Sequence, residues 1–299
     1  MVGTIFITGT SSGIGQETAR LFAGRGWSVV GTVRRMEDAA PLAGHPHMRI
    51  LPLDVRDHGA VERIAGEALA AFGRVDAIVN NAGYFQMGPL ETTTMEQVRA
   101  QFETNVFGAI AVTKAFLPHF RAQRSGTIVN VASISAENGY PFGSAYSASK
   151  AALAVLTEAL AVELDGIGVR AKAVLPGLHA TRIFTKVDVA ASVPAEYRPL
   201  LSRFVAEQKA VRGGKPAVVA AAIWEAITDG RDDRVRYHAG PDAMTVARAK
   251  RLLGADAYWR FFRKALLRGP GALARRLAPQ GDTAVEFGPN IEGLLGGAE

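Results

Sequence analysis

Residues 4–15 read TIFITGTSSGIG. Thr4 to Thr8 make a short apolar run of the kind that fills a buried strand. Gly9, Thr10, Ser11, Ser12, Gly13, Ile14 and Gly15 follow at once, and from there to about Gly24 the chain places Ala19, Leu21, Phe22 and Ala23 at helical positions. A glycine turn by itself is only a turn. Between a strand and a helix, the same glycines let the backbone fold tightly and bring amides to a helix N-terminus, where the dipole favours negative charge. The stretch predicts a strand, turn and helix that bind the diphosphate of a dinucleotide.

The alternation continues outward. A second strand, Ser28 to Val33, delivers Arg34 and Arg35 at its carboxyl end. An acidic residue there would accept bonds from the ribose hydroxyls of NAD, whereas a guanidinium pair suits a 2′-phosphate, so NADP is expected with NAD as the alternative. Glu37 and Asp38 stand close enough to neutralise the pair instead. A third strand, Met48 to Leu53, ends in Asp54 and Val55; Asp54 is placed to receive the adenine amino group or to cap the loop into a helix over Asp57 to Phe72. A fourth strand, Val75 to Val79, runs into Asn80, Asn81, Ala82 and Gly83, small residues that allow close backbone approach to the cofactor ribose. Met95 to Phe120 reads as one long helix stopped near Pro118. Asn105 lies in its middle, where a buried amide must be fully hydrogen-bonded or belong to a site.

Residues 129–150 read VNVASISAENGYPFGSAYSASK. The apolar run Thr127 to Ala132 predicts a strand whose end presents Ser133, and Tyr146 and Lys150 stand four apart at the head of a helical pattern, on one face. A free phenol titrates near ~10, and a neighbouring ammonium lowers that value by stabilising the phenolate. Tyr146 thereby becomes a usable general acid or base.

Thr8-Gly9-x3-Gly13-Ile14-Gly15, Asn80-Asn81-Ala82-Gly83, Asn105, Ser133 and Tyr146-x3-Lys150, in this order and spacing, resemble the short-chain dehydrogenase/reductase family over about Val2 to Gly240. The resemblance implies a Rossmann-type doubly wound α/β sheet of about seven parallel strands with helices on both faces. It implies that Tyr146 donates the proton in reduction and accepts it in oxidation, and that Ser133 hydrogen-bonds the substrate oxygen. Lys150 would lower the phenol pKa and hold the nicotinamide ribose, and Asn105 would hold a relay water. Pro176, Gly177 and Thr181, after a sixth strand over Val169 to Leu175, would contact the nicotinamide amide and the diphosphate. The family precedent of a basic residue after the second strand supports Arg34 as the phosphate ligand; Ser12 stands where the other common basic position would be. Hydride passes between nicotinamide and substrate carbon, with no metal required.

Three loops at the carboxyl edge would choose the substrate. The first carries Tyr84, Phe85, Met87 and Pro89; the second, Ile134, Ser135, Asn138, Tyr140 and Phe142; the third, Leu178, His179, Ile183, Phe184 and Val187, continuing as a lid to Val211. Their bulk predicts a hydrophobic or aromatic carbonyl or alcohol.

A chain of 299 residues with 48% hydrophobic and 21% charged residues has the composition of a soluble globular protein. The absence of cysteine excludes disulfides, thiol nucleophiles and thiolate metal sites. The net charge of +6 comes without an interleaved aromatic motif, so no nucleic-acid partner is expected. No signal peptide or membrane-length apolar run is read, and a cytoplasmic location is the default. Lys215 to Thr228 predicts a helix and Val235 to His238 the last strand, closing a cofactor-binding and catalytic domain over residues 1–241. Residues 242–299 form an extension. Its first part is a basic amphipathic helical pattern interrupted by Gly254, expected to pack on the same domain or a neighbouring subunit with its charges solvated, rather than on a membrane. Gly269 to Glu299 is rich in glycine, proline and alanine and is expected to be loosely structured. The resemblance further implies a homodimer or homotetramer. Against the enzyme stand two other classes, a dinucleotide-sensing regulator without turnover and a peripheral membrane or partner-binding protein with secondary catalysis.

Overall fold

The computed structural model describes residues 2–210, 212–268 and 283–296. Seven strands form one parallel sheet: β1 (Thr4–Ile7), β2 (Ser28–Val33), β3 (Met48–Pro52), β4 (Ala77–Asn80), β5 (Gly126–Val131), β6 (Val169–Pro176) and β7 (Arg236–Ala239). Their spatial order is β7-β6-β5-β4-β1-β2-β3. The order reverses between β1 and β4, the switch point where open α/β sheets form a ligand crevice. Register is fixed by pairs such as Ile5 with Val29 and Ile5 with Ala77.

Period-two alternation explains why helices cover both faces. Ile5, Ile7, Ala77, Val79, Val129 and Val131 point to one side, against Phe22 of α1 (Gly13–Gly24) and Val219, Ile223 and Ile227 of α7 (Pro216–Thr228). Phe6, Val30, Ile78 and Ile128 point to the other, against Ile64 and Ala68 of α2 (His58–Phe72) and Phe116 and Phe120 of α4 (Gly108–Gln123). α5 (Ser144–Glu163) brings Ala154 onto Ala173 and Leu175.

The expected single helix over Met95 to Phe120 is instead three pieces. α3 (Met95–Phe102) ends in a π-helical turn, Glu103–Phe107, and α4 then runs past Pro118 to Gln123. The π turn holds Asn105, and such insertions occur where a helix must re-aim a side chain.

The lid contains α6 (Arg198–Ala210) and a two-residue strand, Asp188–Val189, paired with Gln86–Met87. After β7 come α8 (Pro241–Leu253) and α9 (Ala255–Arg268), separated by Gly254 at φ 76°. The expectation of a loosely structured tail is corrected where the tail is described. Thr283–Ala284 pairs antiparallel with Arg212–Gly213, and α10 (Pro289–Gly296) buries Ile291 with Phe85, Leu201 and Phe204. The rest of the predicted tail, and Val211 at the expected end of the lid, lie outside the described residues.

Candidate active site

A cleft of about 620 Å³ opens at the carboxyl edge of the sheet, within the size range of a small-molecule site. One end is the glycine turn. Gly9 (φ 73°) and Gly13 (φ 58°) occupy the left-handed region, and a Cβ on Gly15 would lie 2.3 Å from the Gly9 carbonyl oxygen. α1 can therefore approach β1 only through glycine. No side chain caps α1 at Ser12, so its first amides face the cleft with Ser11, Ser12, Gly13 and Ile14 in the lining. Thr181 lines the cleft across from them, 3.3 Å from where a Gly13 Cβ would stand. This cradle fits a diphosphate.

Asn81 braces the turn. Its Nδ2 donates to the carbonyls of Thr8 (2.9 Å) and Gly9 (3.0 Å), while the Thr8 hydroxyl accepts from the amides of Asn81 and Ala82. Asn80, by contrast, faces the core and joins a buried chain through Thr113, Asn130 and Thr157.

Arg34 lines the cleft, as do Thr32, Val33, Asp54 and Val55. Arg35 does not; its exposed guanidinium pairs with Asp38 at 3.4 Å. The expected arginine pair is thus a single inward arginine. A second cation comes from Arg56, which the sequence reading missed: its Nε and Nη2 hold Asp54 at 3.0 and 2.6 Å. That hydrogen bond, ahead of burial acting the other way, keeps the Asp54 carboxyl below its ordinary range. The signal was an arginine two residues after the strand-end acid.

At the other end, β5 delivers Ser133 and α5 delivers Tyr146 and Lys150, and all three line the cleft. Ser133 accepts from the Ser135 amide at 3.1 Å, which starts a short 3-10 turn. Phe85 meets the Tyr146 ring edge-on at 4.8 Å. Burial pushes the phenol up to about 12, with the Ser133 hydroxyl pulling it down. The Lys150 ammonium lies 5.9 Å from the ring centroid and is itself held down to about 8 by burial. The Tyr146 phenol is therefore protonated at neutral pH. Lys150 Nζ donates to the Val131 carbonyl at 2.8 Å, which aims it toward the cleft.

Asn105 is a satisfied buried amide. Its Oδ1 accepts from the Tyr84 amide, and its Nδ2 donates to the Tyr84 carbonyl and the Ser149 hydroxyl. It does not line the cleft, yet a Cβ on Gly83 would lie 3.0 Å from its Oδ1 and 3.5 Å from Lys150 Nζ. Asn105 and Lys150 flank one glycine.

Of the residues expected at the substrate, Phe85, Ser135, Tyr140, Leu178, His179 and Phe184 line the cleft, and Ser135 Oγ is buried without a partner. Asn138 does not; it turns away to accept from the Tyr258 hydroxyl at 3.3 Å. His179 is 3% exposed, packed beside Gly214 and Gly240 and bonded to the Gly177 carbonyl, and burial lowers its pKa so that it is neutral. Gly177 follows Pro176 because the Asp242 carboxylate stands where a Cβ would go. Asp242, in the first turn of α8, accepts from the Leu178 amide at 2.6 Å. It was not read from the sequence, nor were Phe204 and Val205 of α6 or Phe287 of the tail, which add apolar wall. Their approach is long-range and leaves no local signal.

A family model described as short chain dehydrogenase matches residues 3–191. An uncharacterized oxidoreductase of Schizosaccharomyces pombe is 37% identical over 210 residues, 70% of this chain and 88% of the relative. A short-chain dehydrogenase from Streptomyces avermitilis superposes with a TM-score of 0.75 at 34% identity, covering 88% of this chain and 97% of that one. A 3-ketoacyl-(acyl-carrier-protein) reductase from Brucella melitensis, solved with NADH, superposes with a TM-score of 0.68 at 27% identity, covering 79% and 96%. The chain belongs to the short-chain dehydrogenase family of oxidoreductases.

Proposed function

We propose that the protein is an NADP(H)-dependent oxidoreductase that interconverts an apolar or aromatic ketone and its secondary alcohol, with NAD(H) as the weaker cofactor. The observation that carries this reading is the meeting of Ser133, Tyr146 and Lys150 at one end of a cleft whose other end is the glycine cradle. A bound nicotinamide supplies the hydride donor or acceptor. Ser133 would fix the substrate oxygen, Tyr146 would give it a proton in reduction, and Lys150 would hold the ribose and favour the phenolate left behind. Gly9, Ser11, Ser12, Gly13, Ile14, Gly15 and Thr181 would hold the diphosphate, Arg34 the 2′-phosphate, Asp54 and Val55 the adenine, Asn81, Ala82 and Gly83 the ribose, and Pro176 and Gly177 the carboxamide. Asn105 would order a water beside Lys150. The apolar walls from Phe85, Phe184, Phe204 and Phe287 support the substrate class. Residues 1–241 would form the catalytic domain and 242–299 an extension that completes the substrate end. Following the absorbance of NADPH with a panel of apolar ketones tests the reading. Tyr146→Phe should lower turnover by about 10²–10⁴ while the dissociation constant for NADPH stays within about twofold; undiminished turnover would defeat it.

A further inference from the structure

The helix pair that follows the sheet has two faces, and the enzyme reading uses only one. Tyr258, Phe262 and Leu266 of α9 turn inward. Phe262 meets Tyr140 of the cleft wall edge-on at 5.8 Å, Tyr258 bonds Asn138, and Leu266 packs on the apolar cluster around Phe85. On the outward side, Trp259 is 55% exposed, Phe261 50% and Leu267 40%, beside Leu252 (79%) and Leu253 (52%) at the end of α8. Trp259, Arg263 and Leu267 follow at i, i+4 and i+8, with Arg260 and Lys264 in the adjacent row. Residues 242–268 hold seven basic residues against two acidic ones, a net of five among the chain's six. Lys250 turns its charge inward to Glu137, whereas Arg251, Arg260, Arg263 and Lys264 form no ion pair among the described residues.

We propose that the outward side of α8 and α9 docks peripherally on an anionic lipid surface. Charge decides the occupant. A second copy meeting this face by two-fold symmetry would oppose arginine to arginine, which repels. A nucleic acid would satisfy the cations but offer nothing to Leu252, Leu253 and Leu267. Lipid headgroup phosphates take the cations, the acyl boundary takes the leucines, and an indole such as Trp259 favours the interface between them. No helix among the described residues is long and apolar enough to cross a membrane, so the contact lies on the surface. Because the inward side of the same helix holds Tyr140 and Asn138, docking sets the loop that carries them one helix diameter, ~10 Å, from the lipid in which an apolar ketone dissolves.

The test is sedimentation of the full chain with vesicles of phosphatidylcholine alone and of equal parts phosphatidylcholine and phosphatidylserine, at low and raised salt. The protein should pellet with the mixed vesicles, release with salt, and stay in solution with phosphatidylcholine. At about fivefold per cation, Arg260→Gln with Arg263→Gln and Lys264→Gln should weaken partitioning on the order of a hundredfold, with thermal unfolding unchanged. Trp259 emission should shift blue on binding, and Trp259→Phe should lose the shift and still pellet. No pelleting with the anionic vesicles, pelleting indifferent to the triple substitution, or salt-sensitive binding to duplex DNA without vesicle binding would each overturn the proposal. None of these residues lines the cleft, so turnover on a water-soluble ketone should be the same in all variants.

Discussion

Arg34 and Arg35 are neighbours in sequence with separate surroundings. One lines the cleft and the other pairs with Asp38 in solvent, because successive side chains leaving a strand point to opposite sides. A charge-assisted bond to a phosphate contributes about 1.5–3 kcal/mol. Arg34→Ala should therefore raise the Michaelis constant for NADPH about tenfold to a hundredfold, with little change for NADH, and Arg35→Ala should alter neither. Equal losses with both cofactors would remove Arg34 from the 2′-phosphate. The sequence showed a basic strand end, but the choice between the two arginines depended on pleat direction and on Asp38. The side chains proposed for catalysis were more legible, since Ser133, Tyr146 and Lys150 are local to one strand, turn and helix. What burial does to Tyr146 was not legible, because it comes from Phe85 and the lid packed around it.

Between elements, Glu137 ties the site to the rest of the fold. It sits just after the turn that begins at Ser133 and takes Arg236 at 2.5 Å and His238 at 3.2 Å from β7 and Lys250 at 3.3 Å from α8. The hydrogen bond from His238, then Arg236 and Lys250, hold the carboxyl at about 2 against a burial effect that would raise it. A carboxyl depressed on folding contributes stability that is present above its unfolded pKa and lost as pH falls through the folded value. The loss should run from about pH 4.5 downward, and it amounts to about 1–2 kcal/mol once solvent screening is allowed for. Unfolding temperatures taken between about pH 6 and pH 3 should fall less steeply for Glu137→Gln than for the parent; parallel curves would show that Glu137 carries no such load. The strands and helices of the sheet were legible because their apolar periods of two and 3.6 do not overlap. The π turn at Asn105 and the pairing of Thr283–Ala284 across the lid were not, because an inserted backbone residue and a long-range strand partner leave no mark on periodicity.

For the whole molecule, two regions group several of the exposed apolar side chains. One is the outward side of α8 and α9. The other includes Phe107 (45% exposed) at the head of α4 and Val155 (59%) and Val162 (80%) on α5. We propose that this second region is where copies of the chain meet, as a homodimer or homotetramer through α4 and α5. Light scattering coupled to size exclusion should give two or four times the 31.7 kDa of the chain, and Val155→Lys with Val162→Lys should shift it toward one copy; a parent that is monomeric at high concentration would contradict this. At the same scale, the glycine turn and the residues of α5 would act together because the sheet brings both ends of the cleft within one dinucleotide's reach. Incubating the enzyme with NADPH deuterated at the transferring position of C4 and an apolar ketone tests that directly. The expected product is an alcohol carrying one deuterium on its carbinol carbon, formed by the parent and lost with Tyr146→Phe; an alcohol without the label, or label transfer undiminished in the variant, would contradict hydride transfer at this site.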